Sequence, residues 1–139
     1  MHTDFQIDQG IAIVVGPAYF DLHNNFDFVG YEYQPKEQTV WLKWKRGSGG
    51  WIPDGLPVGL ALAFQGVTNF SAHRRDDAEP FTEDDCLADI TFLPPEMSDN
   101  FDCVCPDYRS ENEHLLFKFE SGAGIKIWAA RAALEFLNG

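Results

Sequence analysis

Leu60 to Phe70, LALAFQGVTNF, constrains the fold more than any other stretch of the chain. It begins as an alternating strand, with Leu60, Leu62 and Phe64 pointing one way and Ala61, Ala63 and Gln65 the other. Gly66 breaks the rhythm, and Val67 and Phe70 restart an apolar face. Two-residue periodicity with a glycine at the break predicts a central strand that bends or bulges. This strand should run to about Arg75, with the strands on either side in sequence packing against its apolar face.

The segments around it carry the same period. Phe26 to Tyr33 reads as a strand with Val29, Tyr31 and Tyr33 on one face and Phe26, Phe28, Gly30 and Glu32 on the other. Gln34 to Gln38 contains Pro35 and reads as a turn, because proline cannot donate to a central ladder. Thr39 to Arg46 returns as the second arm of a hairpin, with Val40, Leu42 and Trp44 as its apolar face. Later strands are predicted at Cys86 to Leu93, His114 to Glu120 and Gly124 to Ala129, the last two joined by a turn at Ser121 to Gly124. Ala88, Ile90, Phe92, Leu115, Phe117, Phe119, Ile125 and Ile127 should point inward.

Two ends of the chain are less regular. Phe5, Ile7 and Ile11 to Val15 suggest one or two strands, and Ala18 to Asn25 a loop or a single helical turn. Trp128 to Leu137 (WAARAALEFL) has helix-favouring residues but also continues the strand alternation. A strand through Ala130 is expected, with the remainder open between strand and helix.

Six or seven strands joined mostly by short turns define a mainly β fold. An antiparallel sheet should close into a small sandwich or a partly open barrel with long acidic loops, any short helix lying near a terminus. Closure is required because 12 Phe, 4 Trp and 4 Tyr exceed what one face of a flat sheet can bury. A length of 139 residues fits one domain, residues 1–139. No basic leader precedes the apolar run Ile11 to Val15, and no stretch approaches a membrane span, so a cytoplasmic protein with no membrane partner is expected.

The net charge of −12 is unevenly placed. Residues 76–85 (DDAEPFTEDD) carry −6 and residues 96–113 carry −5, leaving −1 for the rest. Such connections repel phosphate backbones, so nucleic acid is not an expected partner. Residues 76–85 have three readings: a solvated loop, a divalent-cation site, or a docking surface for a basic protein. The acids are adjacent pairs without the spacing of a calcium loop, which argues against the second reading. The candidate binding residues are Asp76, Asp77, Glu79, Glu83, Asp84 and Asp85, with Arg74 and Arg75 at the entrance and Trp51 in a Gly- and Pro-rich loop.

Each of these has an ordinary structural alternative. Trp51 reads first as a plug over the core, and second as a contact residue at a loop tip. His73-Arg74-Arg75 offers an acid–base group and an anion clamp, but a charged strand end neutralised by Asp76 and Asp77 is the simpler reading. Asp21 and His23 are close enough in sequence to pair. Three cysteines, Cys86, Cys103 and Cys105, do not suggest a disulfide framework. Cys103 and Cys105 with His114 fall short of the usual four-ligand zinc pattern. Common nucleotide, hydrolase and zinc-helix motifs are absent from the sequence, so no catalytic residue, cofactor or metal is assigned.

Several segments together resemble a group of small bacterial β-domains. They are Leu22-His23-Asn24 before a strand, Phe28-Val29-Gly30-Tyr31-Glu32-Tyr33, Val40 to Trp44, Leu62 to Val67 with Phe70, and Gly124 to Ala129. Some members of that group are described as immunity proteins that neutralise polymorphic toxins. The group often has Leu-His-Asp where this chain has Leu22-His23-Asn24, and no functional residue is carried over. The resemblance, together with the charge, implies a non-enzymatic protein that docks a basic partner; a monomer or homodimer is expected. The alternatives are a small-molecule binder or small enzyme with an aromatic pocket near His73, Arg74 and Arg75, and an oligomer-forming β-domain with Trp41 on its contact face.

Overall fold

The computed structural model describes residues 1–93 and 113–138. Among the described residues ten strands form two sheets: β1 (His2–Thr3), β2 (Gln6–Asp8), β3 (Ala12–Val15), β4 (Ala18–Asp21), β5 (Phe26–Gln34), β6 (Thr39–Arg46), β7 (Gly59–His73), β8 (Leu87–Leu93), β9 (His114–Phe119) and β10 (Gly124–Leu137). The large sheet has the order β5-β6-β7-β10-β9-β8 and curls into a half-barrel. Its neighbours along this path are antiparallel, and β1 adds in parallel to β10 at Arg131 and Ala132. β2, β3 and β4 make a small separate sheet. No helix among the described residues is long and apolar enough to cross a membrane.

β7 is the centre of the large sheet. Its first half pairs with β6 from Gly59 to Gln65, and its whole length pairs with β10 from Gly59 to His73. Leu60, Leu62 and Phe64 are fully buried in the core, as the alternation predicts. Ala61 and Ala63 are buried too. Lys43 and Glu135 flank Ala61 in register, while Trp41 and Ala133 flank Ala63, so longer neighbours cover these small side chains. Gly66 has a φ of +70°, and the register between β7 and β10 slips at Trp128/Ala129. The bend or bulge expected at the glycine is present as this slip in register.

The half-barrel is drawn together at its edges. The Phe28 amide of edge strand β5 donates to the Asp85 carbonyl just before edge strand β8, at 2.8 Å. The Ile90 amide of β8 donates to the Gly10 carbonyl in the turn between β2 and β3, at 2.6 Å. Ile13, Phe20, Phe5 and Leu22 pack into the same core as Trp44, Phe64 and Phe117, so the small sheet shares the core of the large one.

Three sequence expectations are corrected or settled. Ala18 to Asp21 is a strand rather than a helical turn, paired along its length with β3. The tail is strand through Leu137, because β7 offers it an uninterrupted partner. Neither described end of the chain is helical, and the one helical turn among the described residues, a 3-10 helix, falls at Phe81–Glu83.

A fourth correction concerns β5. Phe28 pairs with Trp44 but Gly30 pairs with Lys43, so Val29 is an extra residue that resets the alternation. Tyr31 then lies opposite Leu42 and Tyr33 opposite Val40, placing both tyrosines on the same face as Phe26 and Phe28. Both pack against Phe70 of β7, at centroid distances of 5.2 and 4.7 Å. They remain about half exposed, whereas Phe26 is buried. The concave face is therefore filled at the Phe26 end and open at the Tyr31 end.

Candidate functional site

The acidic connection between β7 and β8 is tied to the body at both ends. The Asp76 amide donates to the Ser121 carbonyl at 2.7 Å, and the Glu120 amide to the Cys86 carbonyl at 2.9 Å. Both anchors lie in the β9–β10 turn, where Gly122 has a φ of +86°. A Cβ at Gly122 would sit 3.1 Å from the Asp76 Cβ, so the turn and the connection pack closely. With the Phe28–Asp85 bond, three backbone hydrogen bonds fix the path of residues 76–86.

Within this frame the two arginines hold the connection in shape. Arg75 donates through Nε to Asp84 at 2.8 Å and through a terminal nitrogen to the Glu79 carbonyl at 2.7 Å. Its guanidinium lies 4.5 Å from the centre of the Phe81 ring. Arg74 pairs with Asp77 at 2.8 Å, with both side chains largely in solvent. Arg74 is thus occupied by Asp77, as the strand-end reading expects, whereas Arg75 reaches past Asp76 to Asp84. Asp76 spends one oxygen on the Ala78 amide at 2.9 Å. Glu79, Glu83 and Asp85 form no ion pair among the described residues. Phe81, in the middle of the acids, is 80% exposed.

Trp51 is corrected. It does not plug the core but is 73% exposed, its ring over Gly49 and its Nε1 donating to the Asn24 carbonyl at 2.9 Å. It is tied to the β4–β5 connection, not to the arginine–acid network. The Asp21 side chain is also reassigned. Its Oδ1 accepts from the amides of His23 and Asn24 at 3.0 and 2.9 Å, and it does not pair with the imidazole.

His73 ends β7 and lines two depressions. One, of about 440 Å³, opens between Tyr31, Ala72, Arg74, Arg75, Asp84 and Ser121. The other, of about 270 Å³, is bordered by Asp89, Lys118 and Phe119. The first matches the place foreseen for an aromatic pocket, but both of its guanidinium groups are already engaged.

The sequence reading missed a cluster at the base of the connection. His23 leaves β4, Cys86 enters β8 and Glu120 follows β9. A ring nitrogen of His23, the Cys86 Sγ and a Glu120 carboxylate oxygen lie within 4.8 Å of one another. Burial pushes the Cys86 thiol pKa up, reinforced by the carboxylates of Glu120, Glu83, Asp85 and Asp27. No local spacing signals this cluster, since the three residues come from distant segments. Cys103, Cys105 and residues 96–112 of the second acidic stretch lie outside the described residues.

His114, given no role from sequence, is buried where β9 begins. Burial lowers its pKa, and the Lys126 charge lowers it further, so the folded protein favours neutral imidazole. The unfolded chain then binds a proton more readily as pH falls through about 6.5. The associated stability is present above that pH and is lost as pH drops toward the depressed folded value. His114→Gln should flatten the decline in urea stability between about pH 7.5 and pH 5. Identical pH slopes for the two proteins would refute this role.

No family model, curated protein sequence or solved structure matches this chain. The chemistry of the site itself carries the functional reading.

Proposed function

We propose that this chain is a non-enzymatic binding protein that docks a basic protein partner through the acidic end of its half-barrel, in the manner of an immunity protein. The observation that carries the reading is the fixed connection of residues 76–86. It presents Glu79, Glu83 and Asp85 without balancing cations among the described residues, around an exposed Phe81. Asp27 and Glu120 add charge from β5 and from the β9–β10 turn, since both act on the same Cys86 thiol. A pre-shaped loop loses less entropy on binding than a floppy one, and clustered charge steers a basic partner into encounter. An exposed aromatic residue amid that charge is suited to serve as the apolar anchor. Arg74 and Arg75 act as struts in this reading, and exposed Trp51 is a separate candidate contact residue at the β4–β5 connection.

The test begins with capture of partners from host lysate at low and high salt. The captured basic protein is then purified and its association rate measured against wild type and a Glu79→Gln/Asp85→Asn variant. Association should slow by roughly threefold to tenfold at low ionic strength, with a shallower salt dependence. Absence of a salt-sensitive basic partner, or an association rate untouched by the substitutions, would count against docking and favour the pocket beside His73.

A further inference from the structure

We propose that His23, Cys86 and Glu120 form a binding site for a zinc-class divalent cation at the base of the acidic connection. The inference does not depend on the docking reading, and either can fail without the other.

Three different donors from three distant segments meet here. His23 Nδ1 lies 3.8 Å from Cys86 Sγ, and the three donor atoms span no more than 4.8 Å. With zinc–sulfur and zinc–nitrogen bonds of about 2.3 and 2.0 Å, tetrahedral donors sit roughly 3.5 Å apart. Side-chain movement of about an ångström would therefore bring all three onto one ion.

The backbone already holds the donors in position. The Glu120 amide bonds the Cys86 carbonyl, which fixes the two ligand-bearing segments against each other. Asp21 caps the turn that carries His23. The His23 ring is also oriented, since its Nδ1 contacts the Leu87 carbonyl. An ion bound through Nδ1 takes the place of that contact, so the ring needs little reorientation to become a ligand.

The electrostatics also favour a cation. Asp27, Glu83, Asp85 and Glu120 all surround Cys86 with negative charge. Thiolate and imidazole donors select zinc or cobalt over magnesium and calcium, which prefer oxygen. Three protein ligands leave the fourth position to water or to one of the neighbouring carboxylates. The bound ion would join the exit of β4, the entrance of β8 and the β9–β10 turn, clamping the small sheet to the edge of the half-barrel.

The experiment is a cobalt(II) titration of the metal-stripped full-length protein, followed by zinc competition. One equivalent should bind with a thiolate-to-cobalt charge-transfer band that zinc abolishes and magnesium does not. The band should persist in Cys103→Ser/Cys105→Ser and vanish in Cys86→Ser. His23→Gln and Glu120→Gln should each weaken cobalt binding by about tenfold or more, since even outer-shell changes cost 10- to 100-fold. As a second readout, zinc should raise the melting temperature of wild type but not of Cys86→Ser. No band in wild type, a band that survives Cys86→Ser, or one lost only with Cys103 and Cys105 would overturn the site.

Discussion

Phe64→Ala should destabilise the protein by about 3–5 kcal/mol in urea denaturation. Phe64 is fully buried on the central strand and stands edge-on to Phe117, with ring centroids 6.2 Å apart. Its cross-strand neighbours are Val40 on β6 and Ala132 on β10. It therefore touches both halves of the curled sheet, and neither small neighbour can expand into the space it would leave. Domains of this size are stable by about 5–15 kcal/mol, so the variant would keep only part of its margin. Phe81→Ala is the internal control. Phe81 is 80% exposed and loses only its contact with Arg75, so its removal should change stability by less than about 1 kcal/mol while, under the docking proposal, weakening partner binding. A near-neutral Phe64→Ala would mean that β7 does not present this face to the core.

What could be read from sequence follows from how much each element owes to its own period. In β6, β9 and β7 up to Gly66, simple alternation identifies the face that enters the core cluster. β5 deceives because Val29 is one residue too many. The shift reverses the faces of Tyr31 and Tyr33, and only the pairing of Phe28 with Trp44 and of Gly30 with Lys43 reveals it. β2, β3 and β4 have three or four residues each, too few to establish a period. In β10 the run Ala129 to Glu135 favours helix locally, and pairing with β7 on one side and β1 on the other overrides that preference.

The candidate site divides in the same way. Its charge is local and is visible in DDAEPFTEDD. Its rigidity is not, because it comes from Ser121, Glu120 and Phe28, residues far away in the chain. The apolar neighbours of Trp51 made a plug the natural expectation, but the tryptophan is held outward by a hydrogen bond to Asn24, a partner no local pattern indicates. His23, Cys86 and Glu120 are isolated in sequence and meet only once the sheet has curled.

Gly66→Val should cost about 3–5 kcal/mol, through two separable causes. The first is backbone strain. Gly66 has a φ of +70°, where a β-branched residue is a steric outlier. The second is collision. A Cβ at position 66 would lie 2.8 Å from the Ala130 Cβ, closer than two carbons can approach. Ala130→Gly removes the opposing methyl but leaves φ unchanged, so the double variant should recover about 1–3 kcal/mol of the loss. Additive effects of the two substitutions would assign the whole cost to the backbone. The bend also directs the second half of β7. Beyond Gly66 the strand carries Phe70 onto Tyr31 and Tyr33 and delivers Arg74 and Arg75 to Asp77 and Asp84. Under the docking proposal, a folded Gly66→Val protein should therefore bind a basic partner more weakly, although Gly66 itself carries no charge and lies outside the acidic connection. Full binding with reduced stability would show that the connection keeps its shape without the bend, held by Ser121, Glu120 and Phe28 alone.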